Sequence, residues 1–102
     1  MRRGRSKYNA VRTEVNGIMF DSKKEAARYW DLFLMEKAHK ISDLKLQPAF
    51  KFPCGFTYKA DFRYFEDGKD VVEDVKGFQT RIFKMKLKML KVHFPEVELK
   101  IT

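Results

Sequence analysis

Residues 56–76 read FTYKADFRYFEDGKDVVEDVK. Phe56, Tyr58, Ala60, Phe62 and Tyr64 alternate with Thr57, Lys59, Asp61 and Arg63, the period-two pattern of a half-buried strand. Asp67-Gly68 is preferred chemistry for a two-residue hairpin loop, because both central positions of that turn need φ > 0. With that loop, Glu66 lies across from Lys69, Arg63 from Val72, and Asp61 from Asp74. Opposed residues of an antiparallel pair project to one face with Cβ atoms about 5 Å apart. Asp61 and Asp74 thus become neighbours, and Lys76 follows on the same face. Glu73 falls on the other face, opposite Phe62, and reads as the least chemical of the charges in VVEDVKG. A three-residue loop would shift the register and separate the aspartates, whereas a two- or four-residue loop keeps them together.

Working outward, TEVNGIMF (13–20) carries Asn16-Gly17 between short apolar runs and predicts a second hairpin. Ser22 and Glu25 have capping-box spacing, and the helically spaced apolar residues after them predict a helix over about 22–39. LKLQPAFKF (44–52) alternates as a strand, with Pro48 marking an edge or a bulge. A second helix is expected over about 79–92, and VELKI (97–101) closes the chain as a strand. The order, N-terminal hairpin then αβββαβ, predicts an α+β or small α/β fold with a mixed sheet flanked by helices. One domain over residues 8–102 is expected, preceded by a basic arm, MRRGRSK (1–7). Trp30 and the phenylalanines are assigned to the core.

The chain of 102 residues has a formal net charge of +8, which favours anionic partners, nucleic acid foremost. On the second helix Arg81, Lys84, Lys88 and Lys91 fall on one side and form a candidate phosphate-binding row. Arg2, Arg3, Arg5 and Arg12 could extend it or form a solvated tail. Lys86 lands inside the apolar arc, where it either snorkels or reaches a site. The single cysteine, Cys54, excludes an intrachain disulfide, and two distant histidines give no zinc pattern. No apolar run reaches transmembrane length and the basic N-terminus leads into no apolar segment, so a cytoplasmic protein without membrane contact is expected.

The acid-x-Lys tripeptide itself decides little. Besides Asp74-Val75-Lys76, four others occur: Asp21-Ser22-Lys23, Asp43-Leu44-Lys45, Asp67-Gly68-Lys69 and Glu98-Leu99-Lys100. What singles out Asp74 is Asp61 across the hairpin. Two opposed carboxylates repel, and either solvent with Lys59, Arg63 and Lys76 relieves them or a divalent cation does. Hard oxygen ligands with waters and substrate phosphates suit Mg²⁺, and a lysine beside it can stabilise developing negative charge. Glu25 either caps its helix or joins the acidic pair. Gln47 is a possible accessory donor to a phosphate or metal-bound water, or an exposed strand glutamine.

The combination of YNAVRTEVNGIMFDSKKEAARY, ISDLKLQPAF, YKADFRY and VVEDVKGFQT, spanning about residues 8–90, resembles the PD-(D/E)xK nuclease superfamily. Within it, the closest likeness is to a small phage and prophage group related in function to Holliday-junction-resolving nucleases. Ala60 stands where the superfamily name has proline. The resemblance implies a restriction-endonuclease-like core and hydrolysis of DNA phosphodiesters with Mg²⁺, for which Mn²⁺ can substitute. It implies Asp61, Asp74 and Glu25 as metal ligands and Lys76 as the catalytic lysine. It further implies duplex, branched or nicked DNA as substrate, 5′-phosphate products, a bacterial host cytoplasm for a phage-encoded enzyme, and a possible homodimer for paired incisions. RNA as substrate, a non-catalytic nucleic-acid-binding protein and a protein-assembly factor are the alternatives.

Overall fold

The computed structural model describes residues 11–75 and 79–102. Strands β1 (Thr13–Val15) and β2 (Ile18–Phe20) form the N-terminal hairpin, and helix α1 (Lys23–Lys37) follows. Strands β3 (Ser42–Leu46), β4 (Ala49–Lys51), β5 (Thr57–Lys59), β6 (Phe62–Glu66) and β7 (Lys69–Asp74) come next, then helix α2 (Arg81–His93) and strand β8 (Glu98–Ile101). The expected mixed sheet is present. Its order is β3-β6-β7-β8, antiparallel except for the β7–β8 pair, which is parallel because α2 carries the chain across between them. The fold is α+β, as expected.

Both hairpin dipeptides act as their chemistry predicts. Asn16-Gly17 has φ of 54° and 77°, and Asp67-Gly68 has φ of 52° and 78°. These are the paired positive φ values of the turn that matches strand twist. The β6–β7 register is the expected one, from Glu66 opposite Lys69 to Phe62 opposite Glu73. Helix α1 starts at the Ser22 cap, whose hydroxyl accepts the Glu25 N–H at 3.1 Å. Thr80 caps α2 in the same way through the Phe83 N–H, at 3.0 Å.

The structure departs from the sequence reading in the long strands. The stretch 56–65 is not one strand but two, β5 and β6, broken at Ala60-Asp61. Its partner is broken opposite, at Gln47-Pro48. Yet the pairing count is continuous: two residues lie between Leu46 and Ala49, and two between their partners Phe62 and Lys59. Gln47 N–H still donates to the Asp61 carbonyl (2.9 Å) and Ala60 N–H to the Pro48 carbonyl (3.0 Å). It is one hairpin bent in the middle, and its bend turns β4 and β5 out of the central sheet. Gln47, a non-glycine at φ 55°, supplies the left-handed step before Pro48.

The bend breaks the expected alternation. Phe62 and Tyr64 join Ala26, Tyr29 and Leu32 of α1 in one core, together with Val71. Tyr58 and Ala60 join Phe83 and Leu90 of α2 in a second core on the opposite face of the sheet, together with Val72. Two apolar layers therefore clamp the sheet, α1 on one side and α2 with the β4–β5 arm on the other. Trp30, expected in the core, is 42% exposed on α1, where its ring stacks on Phe33 at 5.4 Å between centroids. Among the described residues no helix is long and apolar enough to cross a membrane.

Candidate active site

The bend and the end of β7 meet at the edge of the central sheet, and there the acidic residues gather. Asp61 sits in the bend, one residue before β6 starts; Asp74 is the last residue of β7. Asp61 Oδ2 accepts the Val75 N–H at 2.8 Å, which anchors the bend to the end of β7. Asp74 lies close enough to Asp61 to act on its ionisation. Burial raises the Asp61 pKa to about 8, helped by Asp74 and by the charge of Glu25, with the Val75 N–H acting in the opposite direction. The convergence of Asp61 and Asp74 expected from the hairpin register is present.

Glu25 belongs to both of the roles considered for it. Its backbone N–H is held by the Ser22 cap, while its side chain is buried and its charge reaches Asp61. Helix α1 thus brings a third carboxylate toward the pair from the opposite layer.

Glu73 requires a correction. It does point away from Asp74, to the α1 face, but it is fully buried there and held by several side chains. Arg28 Nε and Nη2 donate to it at 2.5 and 3.1 Å, Tyr64 Oη at 2.6 Å and Thr102 Oγ1 at 3.1 Å. Burial pushes its pKa up, but the Arg28 and Tyr64 hydrogen bonds outweigh this and hold it below the usual carboxylate range. Reciprocally, the Glu73 hydrogen bond raises the Arg28 pKa. This network pins α1 to β6, β7 and the chain's last residue. Arg28 lies one helical turn beyond Glu25, so the same clamp fixes where Glu25 stands.

Tyr58 was missed by the sequence reading, which took it as an ordinary apolar strand residue. It is 3% exposed and its hydroxyl donates to Asp74 Oδ2. Burial, and then Asp74, push its pKa far up, so it remains a donor. The available signal was its phenol at a position facing α2, one bend away from the paired aspartates; the bend itself hid the proximity.

The remaining residues fall as follows. Gln47 is exposed beside the bend, with its backbone N–H on the Asp61 carbonyl. Arg81, Lys84, Lys88 and Lys91 are all exposed on α2, and Lys86 is half-buried. The apolar side expected for α2 is divided: Phe83 and Leu90 are buried, but Ile82, Met85 and Val92 are exposed. Lys76, Arg2, Arg3, Arg5 and the basic arm 1–7 lie outside the described residues.

Among the described residues no group of three or more His, Cys, Asp or Glu side chains is gathered closely enough to hold a metal unaided. The donor set at the bend nonetheless fits a hard dication that retains waters. It offers Asp61, tied to the end of β7 through the Val75 N–H, the buried carboxyl of Asp74, and buried Glu25 within electrostatic reach of Asp61.

The fold and site define a basic α+β domain with two converging aspartates, Asp61 and Asp74, at the end of its central sheet. Residues 5–102 match DUF1064, described as a protein of unknown function, and the chain belongs to that family. No curated protein matches it.

Proposed function

We propose that this protein is a metal-dependent DNA endonuclease with a restriction-endonuclease-like core, of the PD-(D/E)xK type. The observation that carries this most is the convergence of Asp61 and Asp74 at the end of the hairpin: the register runs to Phe62 opposite Glu73, and the next residue out on β6's side, Asp61, binds the Val75 N–H just after Asp74. Supporting it are the third acid, Glu25, the net charge of +8 and the exposed lysine row of α2.

Asp61 and Asp74, with Glu25, would hold Mg²⁺ or Mn²⁺. When bound, such a cation polarises a phosphate oxygen and lowers the pKa of a bound water. The protein's own groups account for the rest. Lys76, two residues after Asp74 in the sequence, is the lysine assigned to stabilise charge developing on the phosphate. Arg81, Lys84, Lys88 and Lys91 neutralise backbone phosphates and position the strand without reading sequence. Gln47, exposed next to Asp61, and half-buried Lys86 are accessory donors to the same phosphate. A domain this small offers little surface for base readout, so the substrate class is duplex, branched or nicked DNA cut by structure, with 5′-phosphate ends. Paired incisions would use a homodimer, and the setting is the cytoplasm of a bacterial host.

A cleavage panel of single-stranded, duplex, flapped and four-way DNA in Mg²⁺ and Mn²⁺ tests this. Cleavage of at least one form, abolished in Asp74→Asn with DNA binding retained, is expected. No cleavage of any form by the wild type would reject it. The second reading, a non-catalytic nucleic-acid-binding protein of the same fold, is favoured by one observation: among the described residues no three His, Cys, Asp or Glu side chains are gathered closely enough to hold a metal unaided. It predicts DNA binding by both wild type and Asp74→Asn, and cutting by neither.

A further inference from the structure

We propose that Tyr58 is the positioning residue of this site: by donating its hydroxyl to Asp74 Oδ2 it fixes that carboxylate's rotation and directs it toward a divalent cation beside Asp61. The inference presupposes the metal-binding role proposed for Asp61 and Asp74, and adds a residue to which no role had been given.

The geometry is that of a built support. Tyr58 is 3% exposed, so its hydroxyl has no recourse to bulk water and needs a protein acceptor. It finds one in Asp74, which is itself 1% exposed. The ring cannot swing. It lies stacked on Phe50 (6.2 Å between centroids, planes 21° apart) and tilted against Phe83 of α2 (6.1 Å, 57°). Phe83 is fixed in turn by the Thr80 cap, which accepts its N–H. A rigid phenol therefore holds one oxygen of a carboxylate, and the support traces back to the first turn of the lysine-bearing helix.

The consequence concerns both oxygens of Asp74. An aspartate with unrestrained χ2 presents either oxygen, or both, and pays rotational entropy on binding. With Oδ2 committed to Tyr58, the rotation of the Asp74 carboxylate would be set before any cation is bound. Side chains that orient metal-binding groups in this way typically matter by 10–100-fold in metal affinity or activity. The β4–β5 arm, turned out of the sheet by the bend at Gln47-Pro48 and Ala60-Asp61, is what brings Tyr58 to this position. The bent hairpin thus supplies one metal-binding group, Asp61, and the support for the other.

Tyr58→Phe isolates the hydroxyl, since the ring and its contacts with Phe50 and Phe83 are retained. Mn²⁺ and Mg²⁺ affinities of wild type, Tyr58→Phe and Asp74→Asn are compared by titration calorimetry without DNA. Wild type should bind, Asp74→Asn should not, and Tyr58→Phe should bind 10–100-fold more weakly. In cleavage assays the Tyr58→Phe defect should diminish as Mn²⁺ is raised, which a loss of folding would not do. Equal metal affinity in wild type and Tyr58→Phe overturns the inference and leaves the nuclease proposal standing. A wild type that binds neither metal overturns both. Should Tyr58→Phe not fold, ring-labelled tyrosine NMR of the wild type decides. The Tyr58 signal must shift over the same Mg²⁺ range that saturates the site, and an unmoved signal rejects the role.

Discussion

Three acids in this protein show how environment divides one chemistry. Asp61 and Asp74 converge at the bend, and Glu73, adjacent to Asp74 in sequence, turns to the other layer and pairs with Arg28. Their linkage to folding has opposite signs. Asp61 has its pKa raised from 3.8 to about 8, so its protonated form stabilises the native state fully below about pH 3.8. That contribution falls as pH rises and is gone above about 8. Glu73 is shifted down from 4.5, so its contribution is present above that pH and is lost on acidification. In metal-free buffer, urea unfolding should therefore show stability declining between about pH 5 and pH 8. Asp61→Asn should flatten that decline and be more stable than wild type at pH 9, by about 1–3 kcal/mol. A wild-type curve that rises with pH over this range would contradict the raised Asp61 pKa. The opposition of Asp61 and Asp74 was legible in the sequence because Asp67-Gly68 fixes the register. The fate of Glu73 was not, because its partner Arg28 lies 45 residues away, on a helix whose docking the strand pattern does not specify.

Among the elements, what could be read was local. Asn-Gly and Asp-Gly demand their turns, and Ser22 and Thr80 announce helix starts. What could not be read was the bend that splits the long hairpin. Pro48 signalled an irregularity, but an edge strand, a bulge and a bend share that signal. The choice is made by tertiary packing, where Phe50 and Tyr58 have a core to fill under α2. The bend has a measurable cost, since Gln47 holds φ 55° without being glycine. Gln47→Gly should stabilise the fold by about 0.5–1 kcal/mol, seen as a rise in Tm of several degrees. If Gln47 also serves the site, the same variant should cut more slowly, separating stability from activity. Docking of α1 is tied to the ion pair between half-buried Arg28 and fully buried Glu73. Arg28→Met, which leaves Glu73 buried without its cation, should cost about 3–5 kcal/mol in urea unfolding. The cost should persist at 0.5 M salt, because a partly buried pair is poorly screened. A cost of only a few tenths of a kcal/mol would mean that packing of Tyr29 and Leu32 holds the helix without the clamp.

For the molecule as a whole, charge and site have to be read together. A net charge of +8 spread evenly would give weak, diffuse attraction to any polyanion. Here Arg81, Lys84, Lys88 and Lys91 occupy one side of α2 and are exposed, and the N-terminus of that helix follows closely on the Asp74–Lys76 stretch. The periodicity that defines this row was visible in the sequence. The exposed apolar strip beside it, Ile82, Met85 and Val92, was not, because a helical wheel cannot tell which part of an apolar arc finds a partner. If the row contacts phosphates, each lysine removed should take about one condensed cation out of the binding equilibrium. Lys84→Ala/Lys88→Ala should then lower the slope of log K against log salt for duplex DNA by about 1.8, and weaken binding about tenfold or more near 0.15 M salt. Sequence preference should not change, since phosphate contacts carry none. Lys45→Ala/Lys51→Ala, which removes the same charge from exposed positions on β3 and β4, is the control for net charge alone. Equal slopes for the two double variants would assign the attraction to overall charge and remove α2 from the DNA-binding face.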